Sequence, residues 1–103
     1  MPRVDIVVEI IYNIKEPEKT VIKTNAKPEA VSEVLEAWLT AQMGEGRDSR
    51  EPISRGLYKV SIKLDLRDDT FFTTSDTGNS GLTAGIVMNA TRHLDKIQIS
   101  ALS

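Results

Sequence analysis

The chain has 103 residues, 40% hydrophobic and 27% charged, and its 13 Lys plus Arg against 15 Asp plus Glu leave a formal charge of −2. That length fits one core and that composition is globular, which excludes a disordered or collagen-like polypeptide, while the charge gives no global basic field for nucleic acid or anionic lipid. There is no cysteine, which removes disulfides, thiolate metal sites and thiol nucleophiles together.

Val4, Ile6, Val8, Ile10, Tyr12 and Ile14 alternate with Asp5, Val7, Glu9, Ile11 and Asn13, and this period of two predicts a strand. One of its faces is wholly apolar; the other mixes Asp5, Glu9 and Asn13 with Val7 and Ile11. Because Asp5 and Glu9 interrupt the apolar run, neither a signal peptide nor a membrane span is expected, and a cytoplasmic location is the default. Residues 15–19 form a charged turn around Pro17, and residues 20–24 return as a shorter β-branched strand, completing a hairpin.

After Asn25 the period changes. Val31, Val34, Leu35, Trp38, Leu39 and Met43 recur at helical spacing with Glu29, Glu33, Glu36 and Thr40 at other angles, which predicts an amphipathic helix with Pro28 in its first turn and Gly44 and Gly46 at its stop. Residues 44–55 exceed the usual connection of about four to six residues and predict a mobile, exposed loop. Tyr58, Val60, Ile62, Leu64 and Leu66 then alternate strictly with Lys59, Ser61, Lys63, Asp65 and Arg67, the cleanest strand in the chain. A turn at Asp68 and Asp69 leads back through residues 70–74, where adjacent Phe71 and Phe72 must point to opposite faces. Residues 75–81 are dense in cap and turn types, so a second helix begins inside them, with Leu82, Ile86, Ala90, His93 and Leu94 on its apolar side. Residues 97–102 alternate briefly and predict a short edge strand.

The order therefore reads ββαββα followed by a short β. Each helix carries one apolar stripe, so the economical arrangement is an α+β two-layer sandwich, with an antiparallel sheet of four or five strands and both helices on one face. Residues 1–103 form a single domain, divisible into hairpin-helix units at 4–43 and 57–94 joined by the loop 44–55. The closest match between these units is residues 20–24 with residues 70–74, which leaves a duplication open rather than shown.

Several clusters are candidate sites. The uncovered sheet face would carry Val7 and Ile11 beside Lys59 and Lys63, an apolar centre rimmed by charge that suits a protein interface, whereas charge pairs on a solvated face are the plainer explanation. Ser75, Asp76, Thr77, Gly78, Asn79 and Ser80 precede a helix start, where backbone N–H groups can meet a phosphate or carboxylate. That stretch lacks both GxxxxGK[ST] and GxGxxG, and ordinary helix capping accounts for every residue in it. Asp76-Thr77-Gly78 repeats the triplet of aspartic proteases, but the helical pattern that follows gives no reason to expect two symmetry-related carboxylates. Arg47, Arg50 and Arg55, with Lys59 just beyond, could meet phosphates, although acidic neighbours balance them and the strands lack paired base-stacking aromatics.

His93 is the only histidine, so one chain cannot form a multi-histidine metal site. A boundary residue beside a helix C-terminus is its plain role, and a partner to the 75–80 loop its functional one. No serine sits in a nucleophile-elbow context, so the sequence leans against an enzyme, and no cofactor or metal is expected. The leading expectation is a small non-catalytic binding or assembly module, a homo-oligomer through the open sheet face or a partner of another protein. The alternatives are a small anionic-ligand protein or enzyme at the 75–81 loop, and RNA or other nucleic-acid contact through loop 44–59.

Overall fold

The period-two segments become strands and the helical-period segments become helices. The computed structural model describes residues 5–42 and 56–102. They form β1 (Ile6–Asn13), β2 (Val21–Thr24), α1 (Val31–Ala41), β3 (Leu57–Asp65), β4 (Thr70–Ser75), α2 (Ser80–Arg92) and β5 (Gln98–Ala101). Met43, the glycines at 44 and 46 and the predicted loop 44–55 lie outside the described residues.

The five strands make one sheet in the order β4-β3-β1-β2-β5. β1 pairs antiparallel with β2 and β3, and β3 with β4, whereas β5 runs parallel to β2. The sheet is therefore mixed, which corrects the expectation of an antiparallel one. The reason lies in the connection. β3 and β4 share a tight turn, which forces antiparallel pairing, but α2 carries the chain from β4 at one edge to β5 at the other, where direction is set by the crossover. Alternation within residues 97–102 carries no information about direction.

Val8, Ile10 and Tyr12 of β1 and Tyr58, Val60 and Ile62 of β3 point to the same side as Ile22, and they pack with Val31, Leu35 and Trp38 of α1 and Ala84, Ile86 and Val87 of α2 in a single cluster. Ile10, Ile22 and Ile62 are fully enclosed. Each such side chain contributes about 1.5–3 kcal/mol relative to exposure. The buried threonines at the two ends of β2 are satisfied by β1: Thr24 Oγ1 donates to Val7 O at 2.8 Å, and Thr20 Oγ1 accepts from Asn13 N at 3.1 Å. Asn25 then continues the ladder with its side chain, Oδ1 accepting from Val7 N at 2.8 Å and Nδ2 donating to Asp5 O at 2.7 Å.

The hairpins β1–β2 and β3–β4 lie symmetrically about the central β1–β3 pair. Their matching pentapeptides are not in equivalent positions. Thr20, Ile22 and Thr24 are buried on the helix side, whereas Thr70, Phe72 and Thr74 are exposed, with Thr74 opposite Ser61 and Phe72 opposite Lys63. No helix among the described residues is long and apolar enough to cross a membrane.

Candidate functional site

The sheet face away from the helices gathers the predicted interface residues into opposed pairs. Val7 lies across from Lys63 and Ile11 across from Lys59. Ile14 N donates to Gly56 O at 2.9 Å, so in this ladder the even-numbered β1 residues exchange hydrogen bonds with β3 and the odd ones do not. Val7–Lys63 and Ile11–Lys59 are thus non-hydrogen-bonded pairs, the kind whose side chains come closest. Lys63 Nζ reaches Asp5 Oδ2 at 3.3 Å and Lys59 Nζ reaches Glu9 Oε2 at 3.9 Å, which leaves the half-buried Val7 and Ile11 flanked by ion pairs. Val21, across from Ile11 on the other side, extends the apolar centre.

Two exposed hydrophobic residues on this face were not singled out from sequence. Phe72 is 58% exposed and Leu57 is 54% exposed. Phe71 packs against the core instead, so the adjacent pair divides between faces as strand geometry requires. A shallow depression of about 400 Å³ on the open face is bounded by Glu9, Lys59, Ser61, Thr74, Ser75 and Asp76.

The loop before α2 behaves differently. Ser75, Thr77, Gly78, Asn79 and Ser80 border a cleft of about 310 Å³ with Trp38, Gln42, Thr73 and Thr83. Asp76 is turned toward β3, where its Oδ1 accepts from Lys59 N at 2.8 Å. Inside the cleft wall, Thr83 Oγ1 donates to Ser75 Oγ at 2.8 Å, and Ser75 Oγ lies within 3.0 Å of Thr77 Oγ1. Thr77 Oγ1 and Thr83 Oγ1 are 2.8 Å apart, and Asn79 Oδ1 accepts from Leu82 N at 2.9 Å as the N-cap of α2. Gly78 has φ +70°, a left-handed conformation that explains glycine at this turn. The hydroxyls therefore satisfy one another and cap the helix. Trp38 and Gln42 come from a distant part of the chain, so no local motif could have grouped them with the loop, whereas Thr73 and Thr83 flank it within three residues and could have been included.

His93 does not join this cleft. α2 has 13 residues and so spans about 20 Å, with His93 beyond its far end. The sequence placed His93 on the helix's apolar side, but the helix ends at Arg92, and His93 is an exposed C-cap from which the chain turns into a short 3₁₀ segment at Leu94–Lys96. Arg47, Arg50 and Arg55 lie outside the described residues. Among the described residues no group of three or more His, Asp or Glu side chains gathers to hold a metal ion.

Comparison with protein-family models, curated proteins and solved structures finds nothing that matches this chain.

Proposed function

We propose that this chain is a non-catalytic binding and assembly module that associates with a second copy of itself through the open face of its sheet. The observation that supports it is the placement of Val7 and Ile11 at the centre of that face, each beside a lysine held by a carboxylate. Apolar groups in the middle and charge at the rim are the anatomy of a protein interface. The exposed ion pairs contribute at most about 1 kcal/mol each, so apolar burial supplies affinity and charge supplies orientation. A five-stranded face with strands as long as β3 covers at most roughly 700 Å², near the ~800 Å² per partner of a standard interface. A stable contact thus uses most of the face.

Sedimentation of the full chain tests this. The wild type should exceed the 11.4 kDa of one chain, and Val7→Lys with Ile11→Lys should lower the assembled mass with an unchanged circular dichroism spectrum. A double variant that keeps both its assembled mass and its fold refutes the open-face contact.

A second reading, a small anionic ligand or substrate at the cleft before α2, draws on the gathering of Ser75, Thr77, Gly78, Asn79 and Ser80 there. It is weakened because the hydroxyls of Ser75, Thr77 and Thr83 are already engaged with one another. Phosphate titration that leaves the amide resonances of residues 77–82 unmoved eliminates it.

A further inference from the structure

The sheet also presents a main-chain surface, at the outer edge of β4. We propose that this edge pairs antiparallel with β4 of a second copy about a two-fold axis through Phe72, so that one continuous sheet runs through both chains. The contact goes beyond the face association proposed above, because it uses backbone groups and either contact can fail without the other.

Among the described residues β4 ends the sheet on one side. Asp76 N donates to Lys59 O at 3.2 Å, so the pairs Ser61–Thr74 and Lys63–Phe72 that follow in the same register exchange hydrogen bonds within the sheet. Phe71, Thr73 and Ser75 therefore direct their N–H and C=O groups outward. Natural edges are protected by charge, proline or bulges. Thr70–Ser75 reads TFFTTS, without a charge or a proline. The opposite edge, β5, is only four residues long.

The occupant follows from self-complementarity. Outward-facing residues must meet outward-facing residues, so only alternate registers are allowed. With Phe72 on the axis, Phe72 meets Phe72 of the second copy, Thr70 meets Thr74, and Phe71 meets Thr73. Aromatic pairs and Thr–Thr pairs are favourable cross-strand neighbours, and none of these pairs sets like charges together. The neighbouring register, with Thr73 on the axis, sets Phe72 against Thr74 and Thr70 against Asp76, and loses the aromatic pair. The same register that joins the phenyl rings brings Asp76 toward the turn carrying Asp68 and Asp69 of the second copy, so added salt should strengthen association by screening that repulsion.

Cysteine cross-linking reads the axis directly, because the chain has no native cysteine. Across the proposed axis, residue 72 forms a non-hydrogen-bonded pair with Cα atoms about 4.5 Å apart, inside the disulfide range of about 4.4–6.8 Å. Residue 74 is displaced from its own copy by roughly 13 Å along the strands. Under mild oxidation, Phe72→Cys should form a covalent two-chain species at least about tenfold faster than Thr74→Cys, and an equimolar mixture of Thr70→Cys and Thr74→Cys, which keeps both phenyl rings, should cross-link the two different variants to each other. Phe72 is exposed, so this substitution leaves the core intact, and Thr73→Pro, which removes an outward N–H together with the hydroxyl that accepts from Trp38 Nε1, should reduce the assembled mass below that of Thr73→Val, which removes the hydroxyl alone. Equal cross-linking rates, no cross-link, or a wild type that sediments as one chain overturns edge pairing. Introducing Phe72→Cys into the Val7→Lys, Ile11→Lys background separates the two contacts. A cross-link that persists there supports the edge whatever happens to the face, and one that disappears there overturns an independent edge contact.

Discussion

Trp38 donates its indole Nε1–H to Thr73 Oγ1 across 2.8 Å, which ties the C-terminal half of α1 to the edge strand β4. Trp38 is almost fully buried, so removing its acceptor leaves a buried donor unmatched. Thr73→Val should lower stability by about 1–3 kcal/mol. Thermal unfolding should then show a Tm decrease of about 4–8 °C for each kcal/mol, and in a Trp38→Phe background the same substitution should have a smaller effect.

Asn79 and Thr83 fix the start of α2 from two sides, one capping Leu82 N and the other closing the hydroxyl cluster. Asn79→Ala should cost about 1 kcal/mol, the usual value of an N-cap. Thr83→Val should cost about 1–3 kcal/mol, because the Ser75 and Thr77 hydroxyls lose a shared partner in a largely enclosed site. Urea unfolding of both variants checks the values. Unchanged stability of Thr83→Val would contradict its role in holding the start of α2.

Two glycines should respond with opposite sign. Gly85 lies in α2 with open space where a Cβ would sit, whereas Gly78 has φ +70°. Gly85→Ala should stabilise by about 0.5–1 kcal/mol through helix propensity. Gly78→Ala should destabilise by about 1 kcal/mol or more through backbone strain. The pair of denaturation midpoints should move in opposite directions.

Burial raises the Tyr12 phenol above its ordinary value of 10.0 by penalising the phenolate. The unfolded chain then loses this proton at lower pH than the folded one. The contribution of Tyr12 is complete below pH 10.0 and is lost as pH rises from there through the higher folded value. Tyr12→Phe should flatten the alkaline limb of the stability curve while leaving its neutral-pH shape unchanged, as read by urea unfolding across that limb.

Most of the elements were legible because their periods differ. Val4 to Ile14 and Tyr58 to Leu66 alternate, and Val31 to Leu39 recur at helical spacing, so the period of the apolar residues alone distinguishes them. The direction of β5 was not legible, since a four-residue alternation carries no pairing partner. The similarity of residues 20–24 to 70–74 misled for a related reason: identical threonines fall on opposite faces once each strand's register is set by its own turn. For the site, Val7, Ile11, Lys59 and Lys63 could be grouped by face from alternation alone. Phe72 could be narrowed only to one of two faces, and Trp38 and Gln42 meet the 75–80 loop only through the packing of α1 on the sheet, whereas Thr73 and Thr83 adjoin that loop in sequence.

Hydroxyl-radical footprinting of the wild-type chain across a dilution series tests the open-face contact at the side chains themselves. Modification of Val7 and Ile11 should fall as concentration rises, while Leu66, exposed in the turn after β3, is modified at a constant rate. Constant modification of Val7 and Ile11 across the whole series contradicts assembly through the open face of the sheet.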